Sequence, residues 1–177
     1  MTARDFFAAG EVADELGRIC IEAGDLDAAY KWYQTGHRAG LLEPDLKPGR
    51  RDLWDFRWEH AQARIAARRG NAAEAQKHVA AAKAILDRGT NPNQAAFFPY
   101  LAGYVVFYGG DYKAALAEFE KANQKDPFIL TLIARTYEKL GDQAQAAAYF
   151  RNALNSDAHN PANAAARPLA AKKAGVS

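Results

Sequence analysis

Arg57, His60, Arg64 and Arg68 recur at intervals of three, four and four residues, a spacing that puts all four on one face of a helix. Arginines in that pattern present forked N–H donors suited to carboxylates, and His60 reads as a hydrogen-bonding group among them. The same intervals carry Phe97, Tyr100, Tyr104 and Tyr108, rigid amphipathic rings that offer contact area at little cost in rotamer entropy. A third stripe, Phe128, Thr131, Arg135 and Lys139, ends in two cations, and a fourth, Glu11, Asp14, Arg18 and Glu22, is mainly acidic. One acidic, one basic, one aromatic and one mixed stripe suit the holding of a chain segment rather than the breaking of a bond.

The residues that bond-breaking would need are missing as sets. His37, His60, His78 and His159 are scattered, and no Cys or His stands at metal-ligand spacing. Glu59-His60 lacks the second histidine four residues on that a zinc helix requires. Gly109-Gly110-Asp111 is not followed by Gly-Lys-Ser/Thr, and no Gly-x-Ser-x-Gly elbow occurs. The expectation is a protein that is not an enzyme and takes no cofactor or metal. A single cysteine, Cys20, cannot form an internal disulfide and reads as a buried thiol.

The elements that must position the stripes are helices. Hydrophobic residues make up 49% of the chain, but alanine supplies much of that share, which favours helix over strand. Four dipeptides, Gly24-Asp25, Gly70-Asn71, Gly110-Asp111 and Gly141-Asp142, each lie between two Ala-rich helical patterns. Glycine ends one helix and the following Asp or Asn caps the next. At fixed offsets from each glycine come Ala29, Ala75, Ala115 and Ala146, then Tyr33, Val79, Phe119 and Phe150, then Gly36, Ala82, Ala122 and Ala153. Before it comes another small residue, Gly17, Ala63, Gly103 or Ala134. Small residues let two helices approach, and the bulky one fills the gap to the next pair.

These positions resemble the tetratricopeptide repeat, an antiparallel helix pair of about 34 residues with small, small, aromatic and small positions in this order. Residues 103 to 127 carry the resemblance best, as Gly103, Gly110-Asp111-Tyr112, Ala115, Phe119, Ala122 and Asp126-Pro127; Ile133, Tyr137, Ala146, Phe150 and Ala153 continue it. The second unit is looser, with Val79 for the usual aromatic and Gln62 for the usual leucine. The resemblance implies an all-α fold, a right-handed α-solenoid of antiparallel helix pairs forming a superhelix. A single domain over 1–177 then holds repeats at about 3–40, 54–88, 95–125 and 127–157. An insert loop at 41–53 is marked by Glu43-Pro44 and Lys47-Pro48-Gly49, and a capping helix follows at about 161–174. The glycine spacing shrinks from 46 residues (24 to 70) to 40 (70 to 110) and 31 (110 to 141), the first excess falling in that loop and the second in residues 89–94.

In such an array the first helix of each pair lines the concave face, so the resemblance implies a peptide-binding groove of Arg57, His60, Arg64, Arg68, Phe97, Tyr100, Tyr104, Tyr108, Arg135 and Lys139. The partner is a protein or peptide segment bearing carboxylates. The family's clamp for C-terminal carboxylates needs Lys and Asn on the first helix; Asp14 and Arg18 stand there, so chaperone-tail binding is not carried over. Two plainer readings stand beside the groove. Aromatics at helical spacing also suit packing, which would make Phe97 and Tyr100 partly core. Glu11, Asp14 and Glu22 would also neutralise Arg57, Arg64 and Arg68 if their helices are neighbours.

A formal net charge of +2 argues against nucleic acid and against an anionic membrane as partners. No stretch approaches the roughly 18 apolar residues that span a bilayer, and the N-terminus lacks a basic segment followed by an apolar run, so a cytoplasmic protein is expected. Two rival functions remain: single-stranded nucleic acid stacking in the basic and aromatic groove, and assembly with further copies of the chain through the aromatic stripe or the terminal helix.

Overall fold

The structure, a computed structural model, describes residues 3–158 and 163–175. Among these residues it is all helical, with no strand. The helices fall into two compact units, Met1–Ala95 and Ala96–Ser177.

The first unit contains α1 (Ala3–Ala23), α2 (Leu26–Leu41), α3 (Pro48–Arg68) and α4 (Ala72–Leu86). α1 pairs with α2, α3 pairs with α4, and α2 packs on α3. The second contains α5 (Phe98–Tyr108), α6 (Tyr112–Phe119), α7 (Pro127–Leu140), α8 (Gln143–Asn155) and α9 (Asn163–Ala174). There α5 pairs with α6 and α7 with α8, while α6 packs on α7 and α9 lies against α7 and α8. A 3-10 turn, Pro92–Phe97, leads from one unit to the other. Of the segment expected to form the closing helix, Pro161 and Ala162 lie outside the described residues.

The four Gly-Asp/Asn dipeptides punctuate as their chemistry predicts. Gly24, Gly70, Gly110 and Gly141 take φ values of 86°, 75°, 90° and 85°, the left-handed region in which a Cβ is costly. Each following side chain then accepts from a backbone N–H of the next helix: Asp25 from Ala28 at 2.9 Å, Asn71 from Glu74 at 3.2 Å, Asp111 from Ala114 at 3.0 Å and Asp142 from Gln145 at 3.0 Å. The small and large positions also pair as their offsets imply. A Cβ on Gly17 would stand 2.6 Å from the Tyr33 ring, and one on Gly103 would stand 2.6 Å from the Phe119 ring. Where Val79 replaces the aromatic, the side chain is only half-buried.

The insert is shorter than 41–53. α3 begins at Pro48, because proline at the first helical position sacrifices an N–H that has no intrahelical acceptor. Its first turns are then fastened by tertiary contacts. Trp54 is fully buried, seated so closely on α2 that a Cβ at Gly40 would lie 2.1 Å from its ring. Glu43 of the loop accepts from Trp54 Nε1 at 2.7 Å and from Arg50 Nη2 at 2.7 Å. The segment after α4 straps the same end: Arg88 donates to Asp52 at 2.7 Å, Thr90 also donates to Asp52, and Asn91 Nδ2 donates to the Gly49 carbonyl at 3.0 Å. Residues 49–53 are thus helical and pinned from two sides.

Candidate functional site

In the first unit the acidic stripe of α1 and the basic stripe of α3 meet through long side chains. Arg57 Nη1 donates to Glu11 and lies 3.6 Å from Asp14 Oδ2, and Arg68 Nη1 is 3.9 Å from Glu22. Arg57 also lies over the Trp54 ring, 5.1 Å from its centroid. Arg64 is 3% exposed; it donates to the Tyr33 hydroxyl at 2.7 Å and to the His60 carbonyl at 3.3 Å. His60 is buried beside Phe56, ring centroids 5.7 Å apart. Arg57 and Arg68 therefore meet carboxylates of their own unit, and Arg64 is bonded to a phenol and a backbone carbonyl.

Asp14 is the acid of this ladder whose titration burial displaces. Burial, the largest influence, pushes its carboxyl from 3.8 up to about 7; Arg57 opposes the shift, Glu11 adds to it, and Arg64 and Glu15 exert smaller opposing effects. Desolvation disfavours the charged form more than a guanidinium at 3.6 Å restores it.

In the second unit the aromatic stripe divides. Tyr104 is fully buried and Tyr100 nearly so. Tyr100 meets Tyr104 edge-on at 5.8 Å and Phe128 edge-on at 5.7 Å, favourable ring geometries for a core. These two tyrosines are packing, and the residues offered to solvent are Phe97, 54% exposed, and the half-buried Tyr108. Tyr108 abuts Tyr104 with centroids 4.8 Å apart and accepts from Arg135 Nη2 at 3.3 Å. Arg135 lies over the Phe107 ring at 5.1 Å and the Tyr108 ring at 6.0 Å. Lys139 is exposed one turn further along α7. Among the described residues neither Arg135 nor Lys139 is ion-paired with a carboxylate, in contrast to Arg57 and Arg68. Phe128 and Thr131 of the same stripe are buried, with Thr131 Oγ1 donating to the Pro127 carbonyl at 2.8 Å.

Sequence reasoning passed over a set of histidine–carboxylate ties. His37 Nε2 of α2 lies 2.8 Å from Asp55 Oδ1, and His78 Nδ1 of α4 lies 2.5 Å from Glu59 Oε2. Asp55 and Glu59 are one turn apart on α3, so the helix is fastened to its neighbour on each side; the only prior signal was that i, i+4 acidic spacing. Among the described residues no group of three or more His, Cys, Asp or Glu is placed to hold a metal ion, and no helix is long and apolar enough to cross a membrane.

Comparison with curated proteins finds no match. Residues 129–160, which take in most of α7 and all of α8, match the family model of the tetratricopeptide repeat. Repeats of this kind are in general scaffolds for protein–protein interaction. Most of the capped helix pair, together with the left-handed Gly141 and the buried Ala146, Phe150 and Ala153, lies within the residues that match this model.

Proposed function

We propose that this protein is an interaction scaffold that holds an acidic segment of a partner protein, with Tyr108, Arg135 and Lys139 of the second unit as its principal contacts. Phe97 adds exposed apolar area near the start of α5. The observation that carries the reading is the contrast between two sets of cations. Arg57 and Arg68 are ion-paired with carboxylates of their own unit, whereas among the described residues Arg135 and Lys139 are not. Arg135 is also held ready by Tyr108 and by the faces of two rings, so little side-chain entropy remains to be lost on engaging a carboxylate. Tyr100 and Tyr104 then serve as packing beneath these contacts, and Arg57, His60, Arg64 and Arg68 belong to the internal contacts of the first unit.

The test is capture of partners from the native lysate with the wild-type chain and with the double reversal Arg135→Glu/Lys139→Glu, using Lys113→Glu/Arg151→Glu at exposed positions of α6 and α8 as a control of equal net charge. The double reversal is expected to lose the captured partner while its melting midpoint stays within about 2 °C of wild type, since surface changes are close to neutral for stability. Equal capture by the double reversal and the control refutes the assignment.

A further inference from the structure

Asp14 occupies a place in the first unit that no contact with a partner explains. It lies on α1 and is 9% exposed. On the side of α2 there is no slack, because a Cβ on Gly36 would come within 2.6 Å of Asp14 Oδ1. The charged groups around it are Glu11 and Glu15 from α1 and Arg57 and Arg64 from α3. α2 brings Gly36 and Tyr33 to this region, the Tyr33 hydroxyl being bonded to Arg64.

Two acids compete for one arginine. Glu11 and Asp14 stand three residues apart on the same helix face, where like charges repel. Both reach for Arg57, and Glu11 has the nearer position; Asp14 is left 3.6 Å away, beyond hydrogen-bonding distance. Arg64 donates to the Tyr33 hydroxyl and the His60 carbonyl. Two carboxylates thus reach for the Arg57 guanidinium, and a neutral Asp14 relieves their mutual repulsion without moving any helix.

We propose that Asp14 is a proton-operated latch on α1: with the proton bound, α1 lies firmly against α2 and α3, and on losing it α1 loosens. The shift of the carboxyl up to about 7 puts the change in the neutral range. A carboxyl with a folded-state value above its unfolded-state value contributes stability that is complete below the unfolded value and is lost as the pH rises towards and through the folded one. The latch is therefore tighter at pH 6 than at pH 8.

The measurement is amide hydrogen exchange across α1 at pH 6 and pH 8, corrected for intrinsic exchange rates, in the wild-type chain and in Asp14→Asn. From pH 6 to pH 8 the opening equilibrium of α1 is expected to rise about tenfold more in wild type than in Asp14→Asn, the size that linkage assigns to this interval. Comparison between the two chains removes whatever every other titrating side chain contributes. An equal pH response in both, or none in wild type, overturns the proposal. Because the substitution could itself disturb folding, carboxyl NMR of Asp14 in the unaltered protein provides the second reading: a midpoint between about 6 and 8 supports the latch, and one outside that range overturns it. Neither measurement involves the partner-binding face.

Discussion

Whether an arginine on a helix face is a binding group depends on what lies within reach of its guanidinium. Arg57 and Arg135 both stand on stripes of identical spacing, and periodicity alone does not tell a paired arginine from an unpaired one. One meets Glu11 and Asp14, while the other, among the described residues, meets a phenol and two ring faces. That difference was illegible in the sequence, because it depends on which side chain of another helix arrives opposite, a tertiary fact with no local signature. The same holds for Tyr104 and Tyr108, one turn apart, of which the first is sealed in the core. A residue-scale test of the packing concerns Gly40, whose missing side chain admits the Trp54 ring. Gly40→Ala is expected to destabilise the first unit by about 2–3 kcal/mol, since the helical backbone and the indole have no room to separate. Urea denaturation followed by tryptophan fluorescence measures this, and a loss no larger than a few tenths of a kcal/mol would show that the ring moves aside.

Helix ends were far more legible, because the groups that make them are neighbours in the chain. A glycine that can enter the left-handed region and an Asp or Asn that can accept from the next helix are adjacent by necessity, and all four pairs behave alike. Replacing Asp25, Asn71, Asp111 or Asp142 singly by alanine is expected to cost about 1 kcal/mol each, and a thermal-melting series across the four variants would show whether the costs are of similar size. A variant without effect would mean that its helix end is open to water in the native ensemble. The loop between α2 and α3 was legible only in part. Pro44, Pro48 and Gly49 mark an interruption correctly, yet the same Pro48 is also a good first helical residue. What settles the boundary is distant: Glu43 beneath Trp54 and Arg50, and Asp52 tied to Arg88 and Thr90. No pattern of neighbouring residues announces a strap that arrives from nearly forty positions away.

At the scale of the molecule, a small net charge of +2 covers cations of two kinds: Arg57 and Arg68 of the first unit face carboxylates, and Arg135 and Lys139 of α7, among the described residues, form no ion pair. Each unit has its own buried residues, and the last helix packs within the second. Ala170 of α9 joins Leu130, Ala134, Ala146, Phe150 and Ala153 in a single cluster, while Arg167 Nη2 donates to the Ser156 carbonyl at 2.7 Å and Lys173 pairs with Glu138 at 2.8 Å. In helical-repeat chains stability is carried by each unit and its immediate neighbours, and a terminal cap protects the last of them. Deleting residues 161–177 should therefore weaken the second unit first. The chain supplies its own reporter, since Trp32, Trp54 and Trp58, all of its tryptophans, lie in the first unit. The truncated protein is expected to lose roughly 10 °C from the ellipticity midpoint, with a smaller shift in the tryptophan fluorescence midpoint. Equal shifts in the two signals would mean that the whole chain melts as one body and that α9 stabilises both units alike.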